Sequence, residues 1–243
     1  MRRVRRPNLK MVTFTTVGEN DPLVKVDLRQ GESVWSEADA MVMMDKTLDL
    51  TGRMQGGLLQ AAMRRLTNGE SFFQQEITAS RGDGICLLAP KLPGAVKILD
   101  VGSVQYRVSD QAYLAASSEV SLTARAQKIG AAIFGSTGGF FVGETSGTGQ
   151  VAVSGFGMIV ALDITAGREI VVDNGHVVAW DTRMHYQIAS GTSQNQGLLG
   201  SIVNSVTSGE MVVLKFRGPG KVIVCSRNRT NFHQWIASIR SSH

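Results

Sequence analysis

Apolar and polar residues alternate in short stretches along most of this chain. Val24-Lys-Val-Asp-Leu28 puts three aliphatic side chains on one face and two charges on the other, the period of a half-buried strand. Met158-Ile-Val-Ala-Leu-Asp-Ile164 is apolar almost throughout, as in a strand covered on both faces. Elsewhere the period becomes helical. Leu58, Leu59, Ala62, Met63 and Leu66 form one stripe, and Leu198, Leu199, Ile202, Val203 and Val206 form another at the same spacing. Gly69 and Gly209 follow them, where a left-handed residue commonly ends a helix. A weaker version surrounds Ile129, Ile133 and Phe134. In the tail, Phe232, Trp235, Ile236 and Ile239 fall at i, i+3, i+4 and i+7, predicting an amphipathic helix capped by Thr230 or Asn231. That stripe must dock, either on its own domain or on a neighbouring subunit.

The pattern recurs. Gly31-Glu-Ser-Val34, Gly102-Ser-Val-Gln105 and Gly175-His-Val-Val178 lie at offsets of 71 and 73. A second marker, Gly-x-Gly entering an apolar strand, occurs at Gly82-Asp-Gly84, Gly147-Thr-Gly149 and Gly218-Pro-Gly220, at offsets of 65 and 71. Between the markers stand Phe72-Phe73, Phe140-Phe141 and Val212-Val213, and residues 57–73 align with 197–213 without a gap. Each copy reads as strands, a short helix and a hairpin whose turn favours glycine for its positive φ. The expected class is mainly β, with three tandem β-units, short helical inserts and a C-terminal helix. The divisions are a basic arm at 1–10, units at 11–92, 93–166 and 167–228, and the helix within 229–243.

The 243 residues are 43% hydrophobic and 19% charged, enough apolar material for a substantial core and too much for a disordered chain. Two cysteines exclude a disulfide scaffold and a Cys-rich zinc site. The formal charge of +5 is unevenly placed. Arg2, Arg3, Arg5, Arg6 and Lys10 open the chain without an acid, and beyond Glu210 Lys215, Arg217, Lys221, Arg227, Arg229 and Arg240 have no acidic counterpart. Residues 11–210 hold 14 basic and 20 acidic side chains, so basic ends surround an acidic body. Such ends either act as a solvated arm and tail or meet an anionic surface, RNA or lipid headgroups. Arg2, Arg3, Arg5, Arg6, Lys215, Arg217 and Lys221 are the candidate anion or partner contacts.

No stretch reaches the roughly 18 apolar residues of a membrane helix. Met11-Val-Thr-Phe-Thr-Thr-Val17 alternates and is Thr-rich, unlike a secretory core. The arginine-rich start has the composition of a mitochondrial presequence but runs straight into strand-like sequence. A cytoplasmic location is expected.

Catalytic chemistry finds little footing. His176 and His185 stand nine apart near Asp173 and Asp181, but a metal site needs a convergent third ligand, and Asn174-Gly-His176 reads as a surface turn. Cys86 and Cys225 sit inside apolar strands and read as small core residues. There is no Gly-x-Ser-x-Gly elbow. A phosphate loop ending at Lys221 fails, because position 215 is Lys and 222 is Val. Gly147-x-Gly149 lacks the third glycine of a dinucleotide fingerprint and leads into a strand. Arg81-Gly-Asp83, in a hairpin turn, and Asn228-Arg-Thr230 are too short to carry meaning. No catalytic, cofactor or metal residue is assigned. For RNA, Lys215, Phe216, Arg217 and Lys221 offer charge and a stacking ring. The matching places in the other copies hold Gln74, Gln75, Glu76 and Val142, Gly143, Glu144, a poor continuous track.

Five segments carry a family resemblance. They are Gly31-Glu-Ser-Val-Trp-Ser-Glu-Ala-Asp-Ala-Met41, Gly57-Leu-Leu59 through Gly69-Glu-Ser-Phe-Phe73, Ile133-Phe-Gly-Ser-Thr-Gly-Gly-Phe-Phe141 with Gly147-Thr-Gly149, Val172-Asp-Asn-Gly-His-Val-Val-Ala-Trp-Asp181, and Phe216-Arg-Gly-Pro-Gly220. In this order, over residues 11–228, the chain resembles the altered-inheritance-of-mitochondria β-proteins. The resemblance implies a fold similar to the tryptophan RNA-binding attenuation protein (TRAP), with three double-stranded β-helix or β-sandwich units per chain and three chains in a ring of nine. It also implies no established enzymatic activity; the mitochondrial branch is linked to inner-membrane organisation. The arginines of 1–10 fall outside the pattern. Repeat physics points the same way, since stacked β-units leave two unpartnered ends that head-to-tail contact can close. The expectation is a non-enzymatic scaffold or interaction protein, a homo-oligomer with a trimer favoured. The alternative is an RNA-binding or anionic-membrane-binding ring using the basic arm and the third hairpin.

Overall fold

Val24, Val26 and Leu28 are buried, while Lys25 and Asp27 between them form a 2.9 Å ion pair on the outer face. That one-sided burial is what the alternating pattern encodes, and it organises a chain made mostly of antiparallel strands. The computed structural model describes residues 12–53, 74–109, 111–126, 141–190 and 212–240. The basic arm, the Phe72-Phe73 pair and the helical stripes expected within 57–70, 129–134 and 197–210 lie outside the described residues.

The strands are β1 (Thr13–Val17), β2 (Leu23–Leu28), β3 (Ser33–Glu37), β4 (Met41–Met44), β5 (Asp49–Arg53), β6 (Gln74–Thr78) and β7 (Gly84–Leu88). There follow β8 (Gly94–Val101), β9 (Tyr106–Ser109), β10 (Tyr113–Ser117), β11 (Val120–Ala126), β12 (Phe141–Gly147) and β13 (Gly149–Phe156). The last are β14 (Ile159–Ile164), β15 (Glu169–Asp173), β16 (Val177–Asp181), β17 (His185–Ser190), β18 (Val212–Arg217) and β19 (Gly220–Cys225), before the helix α1 (Arg229–Arg240). They form four sheets, ordered β1-β2-β7-β4, β5-β6-β3-β10-β13-β8, β11-β12-β9-β16-β19-β14 and β15-β18-β17.

One pairing scheme occurs at three places. β7 lies between β2 and β4, β13 between β8 and β10, and β19 between β14 and β16. Likewise β6 lies between β5 and β3, β12 between β11 and β9, and β18 between β17 and β15. The register breaks at the matching step each time, between Met41 and Met43, Tyr113 and Ala115, and Val177 and Ala179. Pairing of β3 with β10 and of β9 with β16 joins these halves into the six-stranded sheets.

One sequence marker is displaced. Gly31 and Gly102 precede β3 and β9, whereas Gly175 lies one strand later, in the 3-10 turn Asn174–His176 between β15 and β16. The counterpart of Gly31 is Gly167, three residues before Ile170 as Gly31 is before Val34; both have positive φ, 89° and 79°. Both Gly175 and Gly31 precede alternating apolar residues, so local pattern matched them and only strand order separates them. At Gly149, with φ +157°, a Cβ would fall on the Ser117 hydroxyl, which accepts the Gln150 N–H at 2.9 Å.

Three apolar clusters line the sheets. One gathers Val24, Val34, Leu48, Ile77 and Leu88, another Val108, Val151, Val153 and Ile223, and a third Trp180, Leu214, Phe216 and Val222. β10 and β16, internal strands, are buried along their whole length. In the third cluster Trp180 meets Tyr186 and Phe216 edge-on at centroid distances of 5.2 and 5.5 Å.

Helix α1 begins before its expected cap. Asn228, rather than Thr230 or Asn231, caps it: Asn228 Oδ1 accepts the Asn231 N–H at 3.2 Å. The apolar stripe starts at Phe232, but the helix gains its first turn from residues that carry no stripe, so the periodicity marked its start too late. Phe232 packs edge-on against Phe156 at 5.1 Å. Trp235, Ile236 and Ile239 remain exposed, so the stripe docks on its own domain through one residue. Among the described residues no helix is long and apolar enough to cross a membrane.

Candidate functional site

The two ends of the strand system present the most distinctive surfaces. Among the described residues β4 pairs only with β7, and β15 only with β18. Each carries an aliphatic side chain far out in solvent: Val42 is 54% and Val171 62% exposed. A strand with one open edge and an apolar outer residue is a template for another strand.

The two open edges are complementary by position. Ser36, Val108 and Val172 stand five residues before Met41, Tyr113 and Val177, where the three register breaks open. Within the chain this geometry brings Trp35 opposite Ala116 and Arg107 opposite Trp180. The corresponding residues on the open edges are Val171 of β15 and Met44 of β4. β15 and β4 therefore occupy, in pairing order, the places of the two strands that the chain joins twice within itself.

The basic residues singled out from sequence are dispersed. Arg217 lies 3.8 Å from Glu169 and Lys221 3.4 Å from Asp163, each on the strand paired beside it. Lys215 projects to solvent from β18. Phe216, offered as a stacking ring, is 1% exposed and wedged beside Trp180 and Tyr186, so no base reaches its face. Arg2, Arg3, Arg5 and Arg6 lie outside the described residues. Sequence alone placed Lys215, Arg217 and Lys221 in one acid-free stretch; strand pairing brings Asp163 and Glu169 from elsewhere to two of them.

The candidate chemical groups are engaged structurally. His176 Nδ1 lies 2.8 Å from the Cys225 carbonyl and Nε2 3.6 Å from Asp173 Oδ2, within the expected turn. Burial pushes the Cys86 thiol up to about 12, with Asp27 and Asp45 adding to it, so no thiolate forms near neutral pH. Burial also raises Cys225, which is only half-buried and donates to the Arg227 carbonyl. Burial acts upward on Asp181, but hydrogen bonds from the Arg183 side chain and backbone outweigh it and hold the carboxyl below its ordinary range. Arg81 grips the Lys46 and Leu48 carbonyls and Asp49, while Asp83 accepts the Gln30 N–H at 2.8 Å. Arg81-Gly-Asp83 therefore ties down the β4–β5 and β2–β3 connections, and it is not the expected hairpin turn, because β6 and β7 lie in different sheets. So do β12 and β13 around Gly147-Thr-Gly149 and β18 and β19 around Gly218-Pro-Gly220; each glycine pair carries the chain from one sheet to another. Among the described residues no three His, Cys, Asp or Glu side chains converge as metal ligands do.

Two features escaped sequence reasoning. The edge residues Val42 and Met43 had a signal in the unbroken apolar run Met41-Val-Met-Met44, whereas nothing around Val171 sets it apart from a paired strand. The second is the node at which Asn228 Nδ2 donates to Asp173 Oδ2 at 3.3 Å while its oxygen caps α1. Nothing in residue spacing links positions 55 apart.

A family model described as mitochondrial biogenesis AIM24 matches residues 14–227. An uncharacterised protein of Streptococcus pyogenes serotype M6 is 35% identical over 217 residues, covering 87% of this chain and 84% of its own. A crystal structure of a Streptococcus pyogenes protein is similar with a TM-score of 0.74 at 31% identity, over 96% of this chain and all of that one.

Proposed function

From a chain that belongs to the mitochondrial biogenesis AIM24 family, we propose a non-enzymatic cytoplasmic scaffold, a ring of three protomers closed head to tail. Each protomer supplies three tandem TRAP-like units, and β15 of one protomer pairs with β4 of the next. The observation that carries this reading is the complementarity of the two open edges: the sheet pairing made by β3 with β10 and by β9 with β16 would simply be made once more. Ring closure pairs the edges of β4 and β15 and covers Val42 and Val171, which a monomer leaves as an invitation to uncontrolled association. Three chains is the closure implied by the family resemblance.

Light scattering on the full-length protein, and on Val171→Lys and Val42→Lys made separately, tests the reading. A lysine at either edge sets a charge into an apolar strand contact while leaving the buried clusters untouched. The expected result is a trimer for the parent and a single protomer for each variant at micromolar concentration. A monomeric parent, or trimers unchanged in both variants, overturns the proposal.

A further inference from the structure

Helix α1 is apolar on one side, carries its charge on one flank and is almost entirely exposed. At about 100° per residue, Trp235, Ile239, Phe232 and Ile236 fall within an arc of about 100°. Arg229, Arg240 and His233 follow directly beside Ile236, and Thr230, Asn231, Gln234, Ala237 and Ser238 fill the remainder. Phe232 holds the helix to Phe156, yet Trp235 is 59%, Ile236 37% and Ile239 46% exposed. Next to its base, Met158 is 61% exposed and tied to Ser226, donating its N–H to Ser226 Oγ and accepting the Ser226 N–H, both at 2.9 Å. Arg227 lies over the Phe156 ring at 5.8 Å. From residue 211 to the end there is no Asp or Glu. An apolar surface thus adjoins three arginines, Arg227, Arg229 and Arg240, together with His233, whose Nε2 accepts the Arg229 Nε–H at 3.3 Å, on a segment without acidic residues.

We propose that α1, with Met158 beside it, docks on an anionic lipid bilayer, lying in the plane of the headgroups. The apolar arc enters the acyl boundary, Trp235 sits at its margin, and Arg229 and Arg240 reach lipid phosphates along the flank. Charge complementarity selects the occupant. The helix has the sign that an anionic surface attracts, and its basic residues line one border of the apolar arc along its length, as an in-plane helix requires. A short helix with few apolar residues binds weakly and reversibly, and its binding falls as salt rises.

Flotation of the full-length protein with phosphatidylcholine vesicles, with and without phosphatidylglycerol, tests this, together with Trp emission. Three full-length variants complete it: Trp235→Ser with Ile239→Ser, Arg229→Gln with Arg240→Gln, and Arg2, Arg3, Arg5 and Arg6 all to Ser. All of the substituted helix residues lie on the surface, and circular dichroism of each variant checks that the fold is unchanged. The expected result is binding to anionic vesicles only, weakening with salt, a blue shift of Trp emission, and a loss of at least about tenfold in either helix variant but not in the arm variant. Absence of binding, binding unchanged in both helix variants, or a loss confined to the arm variant overturns the proposal. A fall in protein mass caused by Trp235→Ser with Ile239→Ser in the absence of lipid also overturns it, by showing that a second copy covers the face.

Discussion

Asn228 does the work of two residues. Its side-chain oxygen caps α1 by accepting the Asn231 N–H, and its amide ties the cap to Asp173 at the end of β15. Gly175 makes the arrangement possible: a Cβ there would collide with the Asn228 amide. In Gly175→Ala the side chain of Asn228 must swing away, losing both hydrogen bonds. Loss of a side-chain cap costs about 1 kcal/mol of helix stability. The expected outcome is faster hydrogen exchange at the Asn231 and Phe232 amides, with exchange in β16 and β19 unchanged. Protection retained at Asn231 would show that the cap survives without the glycine. The same residue explains a misplaced sequence marker, since Gly175 is required by this contact and Gly167 by backbone conformation at a turn. Both needs write the same letter, so a single sequence cannot tell them apart.

Among elements, the edge strands make the sharpest claim, because the chain's own pairings specify a register. Trp35 opposes Ala116 and Arg107 opposes Trp180, so in the proposed ring Val171 would oppose Met44 of the next protomer. With cysteine at both positions, mild oxidation should link protomers into dimers and trimers and nothing larger on denaturing gels. Pairing Glu169→Cys with Met44→Cys places the sulfurs two residues out of register and should link far less efficiently, given that diagonal Cβ atoms stand about 7 Å apart. Equal linking in both would mean that the strands slide. Strand existence was legible because half-burial imposes a period of two, as Val24 to Leu28 display. Edge status was not: Val171 and Val24 are the same residue in the same kind of strand, and only the neighbours differ. The acidic neighbours of the candidate basic residues were hidden for a related reason. Arg217 and Lys221 lack acidic neighbours in sequence, but antiparallel pairing supplies Glu169 and Asp163 from more than forty positions away.

For the whole molecule, rotational symmetry joins the two proposals into a further consequence. A closed ring related by a threefold axis presents every copy of α1 on the same side, because rotation about the axis never exchanges the two faces. Three weak helices would then meet one vesicle together, the second and third binding at an effective concentration set by the ring itself. Val171→Lys keeps α1 intact and opens the ring, so it separates multivalency from intrinsic helix affinity. At equal protomer concentration the opened variant should bind phosphatidylglycerol-containing vesicles at least about tenfold more weakly than the parent, while keeping the Trp emission shift at saturation. Equal affinity in parent and opened variant would mean that the helices act singly, even in a ring. A variant that neither binds nor shifts would mean that the docking surface spans a protomer boundary, with the edge strands and α1 forming one device.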